Sequence, residues 1–409
     1  MIETKFKHTE IGLIPHDWEV RNIKDCFDFK QGVQCAVNLQ SLQQFDGCVR
    51  FIRIVDLTQP DESPRYIADP GLVHHVKKDD LFMVRYGSPG LVGYGYEGVI
   101  ANNLFRLLPN IEICSKFYKY ILTDLHDEIL ALSSSTTMPA VNFTALSTLQ
   151  IPLPPTTAEQ ERIADALSKI DSLIVGLDEL LEKKRAIKTG TMQQLLTGKK
   201  RLKGFTGKWV EKTIEELGDL TGAGVDKKSY QDETPVRLVN YLDVFRRDYI
   251  YNNELDFWVT AKETKKIQCN VLRGDVFFTP SSEMPYDIAL SAVAMEDMPN
   301  VCYSYHIYRL RFREDIDELY RAYMFKSKAF YEQANQTCEG SGKRYVISLT
   351  KFKQMTVYYP SDKGEQHAIA SILSAMDTEI ASLEQKRDKY IAIKQGMMQQ
   401  LLTGKIRLV

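Results

Sequence analysis

The side chains of this 409-residue sequence that could do chemistry are basic, amide and aromatic residues gathered in two clusters. The first cluster holds Lys77, Lys78, Arg85, Tyr86, Ser88, Tyr94, Tyr96, Asn102 and Asn103. The second holds Lys227, Lys228, Arg237, Asn240, Tyr241, Arg246, Arg247, Lys343, Arg344 and Tyr345. Arg and Asn can meet guanine and adenine edges with paired hydrogen bonds, and Lys and Ser can hold phosphates. Taken singly, each residue reads more simply as a solvated surface group. Only their clustering on loops, repeated in both halves of the chain, favours a nucleic-acid interface.

Signatures of other chemistries are missing from the sequence. It contains no G-x-x-x-x-G-K-[ST] phosphate loop, and the T-G-K runs at Thr197 and Thr403 follow helical patterns rather than strands. It has no H-E-x-x-H, and His74-His75, adjacent in a loop, reads as solvated. The glycines Gly87, Gly90, Gly93 and Gly95 read as a tight turn. There is no N-P-P-Y or D-P-P-Y of the kind that holds a flipped base's amine. Asp79-Asp80 and Glu215-Glu216 are ordinary surface pairs. Seven scattered cysteines, never spaced C-x-x-C, argue against a structural zinc and against a disulfide framework. The reading is a binding or scaffolding chain with no catalytic residues and no metal of its own.

Composition narrows the class. Hydrophobic residues at 44% and charged residues at 26% describe a globular chain. No apolar run approaches the roughly 18–20 residues that cross a bilayer, and the N-terminus lacks a signal-peptide core. Reduced cysteines then point to the cytoplasm. A net charge of −2 and a pI near 6.4 exclude a generally basic nucleic-acid binder, so DNA contact must rest on local clusters or a basic partner.

The elements that must position these clusters are announced by an internal repeat. Glu159–Leu202 recurs without a gap from Glu365 to Leu408, and about half the positions are identical. In the first copy Ile163, Leu167, Ile170, Ile174, Leu177 and Leu181 step by fours and threes, a heptad seam. The second copy carries Ile369, Leu373, Met376, Ile380 and Leu383, then Arg387. Each copy predicts a helix of roughly 35–40 residues, about 55 Å long, capped at Thr157 or Ser361 and ended by Gly198 or Gly404. The seams should pair with each other, antiparallel, giving a pseudo-two-fold chain with its globular parts at opposite ends.

Around the helices the order is unit, helix, unit, helix: 1–154, 155–204, 205–360 and 361–409. Trp18 and Trp209 open the units. Strands are expected at Phe51–Leu57, Leu81–Tyr86 and Asn103–Leu108, and an amphipathic helix at Ser115–Leu132. Val236–Val244, the strand at Asp275, H-I-Y-R-L and Asp315–Phe330 answer them. These correspondences pair Asp243 with Asp56, Asp275 with Asp80 and Arg309 with Arg106. The fold class is α+β. The helices are near copies and the units have diverged, so the helices share one job and the units do different jobs of one kind.

I-P-L-P-P-T-x-x-E-Q-x-R-I-A before the first helix, Q-Q-L-L-T-G-K at the end of both and G-L-I-P-x-x-W at Gly12–Trp18 resemble the specificity subunit of type I restriction-modification systems. The resemblance covers the whole chain. The second junction, V-Y-Y-P-S-D-K-G-E-Q-H, departs from it with one proline where the first has P-L-P-P. The resemblance implies two target-recognition domains, each reading half of a split double-stranded DNA site. It also implies two methyltransferase subunits docked on the helices, with restriction/translocase subunits as optional partners. Methylation would be at adenine N6, with S-adenosylmethionine held by the partner, and no cofactor or metal would be bound by this chain. Two other readings stay open at this point: a coiled-coil scaffold binding protein or carbohydrate, and an enzyme such as a lone nuclease with an unrecognised site.

Overall fold

Each copy of the repeat folds as one uninterrupted helix, Thr157–Leu195 and Lys363–Leu401, of 39 residues apiece. The computed structural model describes residues 5–59, 61–133, 139–342 and 344–409. The caps sit one residue earlier than Thr157 and one later than Ser361. Thr156 Oγ1 accepts the Glu159 N–H at 3.3 Å, and an Asp362 carboxylate oxygen accepts the Gly364 N–H at 2.7 Å. Both helices end as the glycines dictate, with Gly198 at φ +68° and Gly404 at φ +67°.

The chain divides into two compact units, 1–178 with 385–409, and 179–384. Each contains one globular domain, the N-terminal half of one long helix and the C-terminal half of the other. Within each unit the helices run antiparallel, because partner numbers fall on one helix as they rise on the other. In the first unit Arg407 meets Glu159 at 2.8 Å, Lys394 meets Asp171 at 2.6 Å and Arg387 meets Asp178 at 3.6 Å. In the second, Arg201 meets Glu365 at 2.6 Å, Lys188 meets Asp377, and Arg185 meets Glu384 at 2.6 Å. Ile163 and Leu167 pack with Leu401 and Leu402 in one core. Ile369 and Leu373 pack with Leu195 and Leu196 in the other. Leu177 and Leu181 are buried, while Ile170, Ile174, Met376, Ile380 and Leu383 are half-buried.

The globular domains share a topology. The first has a four-stranded sheet in the order Arg65–Ala68, Cys48–Ile52, Gly98–Ile100, His75–Val76, with its middle pair parallel. The second repeats it as Trp258–Ala261, Thr234–Val239, Met298–Tyr303, Asn270–Val271, again with a parallel middle pair. Phe27–Gln31, Leu104–Pro109, Leu81–Val84 and Val92–Gly93 form the second sheet of the first domain. Gly218–Thr221, Tyr308–Phe312, Val276–Phe278 and Ser291–Ala294 answer it, with Tyr249–Ile250 added at the edge.

Two expected strands end early. Phe51–Leu57 is strand only to Ile52, and the helix Ile54–Thr58 follows; Val236–Val244 is strand only to Val239, before the helix Tyr241–Arg246. Asp56 and Asp243 explain both breaks. Each sits at the third helical position and accepts the main-chain N–H three residues back, from Arg53 at 2.9 Å and Asn240 at 2.8 Å. The expected helix Ser115–Leu132 is two, Ser115–Asp124 and His126–Ala131, parted at Leu125 (φ −85°, ψ 20°). Asp315–Phe330 likewise gives Glu318–Arg321 and, after a break, Lys328–Thr337.

Docking of domain on helix is also duplicated. Gln160 accepts the Cys114 N–H at 2.8 Å and donates to Pro154 O at 3.3 Å. Gln366 accepts the Asp317 N–H at 2.8 Å and donates to Pro360 O at 2.8 Å. The missing prolines of the second junction therefore leave its geometry unchanged. Tyr120 donates to Asp171 and Tyr323 to Asp377, each at 2.6 Å. Trp18 lies beneath Arg407 (5.7 Å) and Trp209 beneath Arg201 (5.8 Å).

The helix-end glycines differ in what surrounds them. A Cβ at Gly404 would stand 2.4 Å from the Pro15 ring, whereas one at Gly198 meets Trp209 at 3.3 Å. Gly404→Ala combines left-handed strain with a clash against a rigid ring and should cost about 3 kcal/mol or more, against about 1–2 kcal/mol for Gly198→Ala. Denaturant unfolding of the two variants checks the order.

Candidate nucleic-acid interface

Partly buried ion pairs hold the loops. Asp80 accepts the Lys77 N–H at 2.9 Å and pairs with Arg106 at 3.1 Å. Asp275 does the same for the Leu272 N–H at 2.9 Å, but its cation is Arg311 at 2.6 Å. Arg309 keeps the strand position of Arg106 and spends its guanidinium on the Asn270 carbonyl at 3.2 Å. His75 pairs with Asp69 at 2.8 Å, which holds the Asp69 carboxyl below its usual range. Among the described residues no cluster of three His, Cys, Asp or Glu is placed to hold a metal ion.

Matching backbone bonds make the loops of the two domains equivalent. Val33 donates to Ile100 O at 2.9 Å as Val225 does to Tyr303 O at 2.8 Å. Val141 donates to Arg85 O at 2.7 Å as Ile347 does to Pro280 O at 2.8 Å. Tyr305–His306 thus occupies the place of Asn102–Asn103, and Ser281–Ser282 that of Tyr86–Gly87. The sequence reading missed Tyr305 and His306, although aligning H-I-Y-R-L with N-L-F-R-L had already set His306 on Asn103.

In the first domain this place is rich in amides. Arg85 donates to Gln31 Oε1 at 3.1 Å and lies 4.6 Å over the Phe143 ring. Gln31 donates to the Leu104 carbonyl at 3.3 Å and to the Asn102 carbonyl, and the Asn102 amide reaches Gln34 at 3.5 Å. Asn103 O accepts the Arg85 N–H at 2.8 Å, Ser88 O the Leu91 N–H at 3.4 Å, and Tyr86 bridges to Ala140. Lys77 and Lys78 are exposed. Tyr94 is committed elsewhere: it donates to Asp79 at 3.1 Å, and burial with that carboxylate pushes its hydroxyl up to about 12.

In the second domain the place opens into a cleft of about 550 Å³. Tyr241, Leu242 and Phe245 of the short helix form one wall. Ser281–Met284, Asp287, His306 and Arg344 complete it. The Tyr241 and Phe245 rings stack at 5.7 Å and 21°, and Tyr305 lies on His306 at 3.9 Å. Burial, then the cations Lys227 and Arg344, pull the His306 pKa down. Burial pushes the Tyr241 hydroxyl up, opposed by Ser282 and reinforced by Asp287 and Glu283.

Three of the expected readers are engaged or buried within the domain. Arg237 donates to the Asn252 carbonyl at 2.6 Å and to its side chain, and packs on Trp258. Asn240 is buried at the helix entry, and Arg247 is held by Asp243 at 3.1 Å. A guanidinium already bonded to carbonyls and carboxylates has fewer donors left for a base. Lys228 and Arg246 are exposed, as is Lys227, which reaches the Phe257 ring at 6.0 Å. Arg344 and Tyr345 lie on the strand Arg344–Val346. Lys343 lies outside the described residues.

Comparison with known proteins agrees with this duplicated plan. The type I restriction modification DNA specificity domain family matches twice, over residues 15–187 and 206–391. The type I restriction enzyme MjaVIII specificity subunit of Methanocaldococcus jannaschii is 24% identical over 437 aligned residues, covering 99% of this chain and 97% of its own. The type I restriction-modification S subunit from M. genitalium superposes with a TM-score of 0.60 at 18% identity, over 97% of this chain and 98% of that one. A chain from a structure of type I R-M complex assembly superposes at 0.55 and 15%, over 96% and 99%. Among the described residues no helix is long and apolar enough to cross a membrane. With both halves matched, the chain belongs to the type I restriction modification DNA specificity domain family.

Proposed function

We infer that this chain is the non-catalytic subunit that gives a type I restriction-modification complex its DNA sequence. Each domain reads one half of a split, asymmetric site on double-stranded DNA. The paired helices dock two methyltransferase subunits and set the unread spacer. Those partners hold S-adenosylmethionine and methylate adenine at N6, and restriction/translocase subunits complete the complex where the system also cleaves. The setting is the cytoplasm.

One observation carries the reading. The same backbone framework presents amides in one domain and an Arg, His and carboxylate cleft in the other. A duplicated frame with different side chains at the same loops is what two different half-sites require. The test is to co-express the chain with its neighbouring methyltransferase subunit and sequence DNA for methyladenine. A split, non-palindromic motif is expected. A continuous or palindromic motif overturns the two-domain reading. The first long helix links the domains in the chain and the second runs antiparallel to it, so a heptad inserted into both lengthens each by about 10 Å, or about three base pairs of spacer. An unchanged spacer in the sequenced motifs removes the helices as its determinant.

A further inference from the structure

We propose that the cleft between the Tyr241–Arg246 helix, the Ser281–Asp287 segment and Arg344 reads a G·C base pair, with Arg344 as its specificity-determining residue. The proposal rests on the DNA-reading function inferred above and names the base and the residue.

Three observations support it. The first is place: the cleft lies where the first domain presents Asn102, Asn103 and Tyr86, as the matching backbone bonds show. The second is chemistry. Adenine is read by Asn or Gln, guanine by an Arg fork, and cytosine N4 by a carboxylate. The cleft lining contains no Asn and no Gln, but it does contain Arg344, Glu283 and Asp287. The equivalent place in the first domain has the opposite set, with Gln31, Gln34 and Asn102 in contact with one another or with Arg85. The third is availability. Among the described residues, no carboxylate pairs with Arg344 and no cation pairs with Glu283 or Asp287, whereas Arg237 and Arg247 are engaged within the domain. Donor and acceptors of opposite charge line one cleft without neutralising each other. A G·C edge in the major groove offers guanine O6 and N7 to the first and the cytosine N4 amine to the second.

The rest of the cleft suits that role. Met284 is an exposed apolar part of the lining, and Tyr241 with Phe245 gives a flat apolar wall beside the charged groups. Exposed Arg246 and Lys228 stand near enough in sequence to the wall and to Lys227 to meet phosphates without informing base choice.

The test is methyladenine sequencing with the chain in complex with its methyltransferase partner, wild type against Arg344→Ala, Arg344→Lys and Glu283→Gln. Arg344 is exposed, so its replacement should leave the fold and the complex intact. The expected result is that Arg344→Ala relaxes one position, a G·C pair in one half-site, by about tenfold or more. The other half-site keeps its full preference. Arg344→Lys retains methylation but weakens the discrimination, because a flexible ammonium lacks the rigid planar fork. Glu283→Gln weakens the same position and no other. Relaxation at an A·T pair overturns the proposal, as does an unchanged motif. A uniform fall in methylation with the motif intact also overturns it, since it would make Arg344 a phosphate contact. If the wild-type complex yields no split motif, the functional reading itself has failed, and this assignment falls with it.

Discussion

Arg407→Ala is expected to destabilise the first compact unit by about 3–5 kcal/mol. The guanidinium grips Glu159 at 2.8 Å and Asp17 at 2.9 and 3.0 Å, and it covers the Trp18 ring. Glu159 is 1% exposed. Removing its cation strands a buried carboxylate, which costs far more than the loss of a surface pair. Arg407→Lys restores only part, because the fork reaches two carboxylates at once. Glu159→Gln added to Arg407→Ala should recover much of the loss by removing the stranded charge. Arg201 holds the 0%-exposed Glu365 by the same fork in the second unit, so Arg201→Ala should mirror the effect there. Amide exchange resolved by segment measures each unit separately. A cost below about 1 kcal/mol would mean the pair behaves as an exposed one.

Asp17 adds a pH dependence to the first unit. Its hydrogen bond to Arg407 holds the carboxyl below its usual range. A depressed carboxyl contributes fully above its unfolded pKa of about 4 and stops contributing as pH falls through the folded value. In Arg407→Ala that acid sensitivity should diminish.

Asp248→Ala is the second large effect, at about 3–5 kcal/mol in the second unit near neutral pH. Its partner Lys326 is 8% exposed and pairs with Asp248. Lys188 of the long helix bonds to Asp377 and stands 3.8 Å from Asp248, and Tyr323, which touches Tyr249, donates to Asp377. Without Asp248 a buried ammonium would face another lysine. Lys326→Met should be close to neutral, because Asp248 is 38% exposed and remains hydrated beside Lys188. Burial pulls the Lys326 pKa below the usual lysine range. Between that lowered value and the ordinary one, the unfolded chain binds the extra proton, so stability from this group rises with pH across the window. Comparing wild type with Lys326→Met from neutral to mildly alkaline pH isolates the slope. Equal slopes would mean the lysine titrates as if solvated.

Much of the frame was readable because it is local and repeated. A heptad seam with no proline and a glycine at its end states a long helix wherever it occurs. The gapless duplication gave the helix ends to within a residue or two, and it was compatible with either helix direction; the antiparallel one preferred from sequence is the one the ion pairs show within each unit. The short turns of structure were harder. F-I-R-I-V-D-L alternates as a strand does, and only the capture of the Arg53 N–H by Asp56 turns it into a helix. The leucine-rich run to Leu132 keeps its helical period across a break at Leu125 that no proline or glycine marks.

By itself the sequence determined the duplicated plan, the two long helices and the absence of known catalytic motifs. Tertiary structure alone decided which polar side chains on the loops are committed. Arg237 and Arg344 look alike in a sequence, yet one is bonded to Asn252 and stacked on Trp258 while the other borders an open cleft. The cleft itself gathers residues from 241–245, 281–287, 306 and 344. Helix periodicity is a property of neighbouring residues, whereas the partners of a guanidinium arrive from distant strands and are set only when the chain packs.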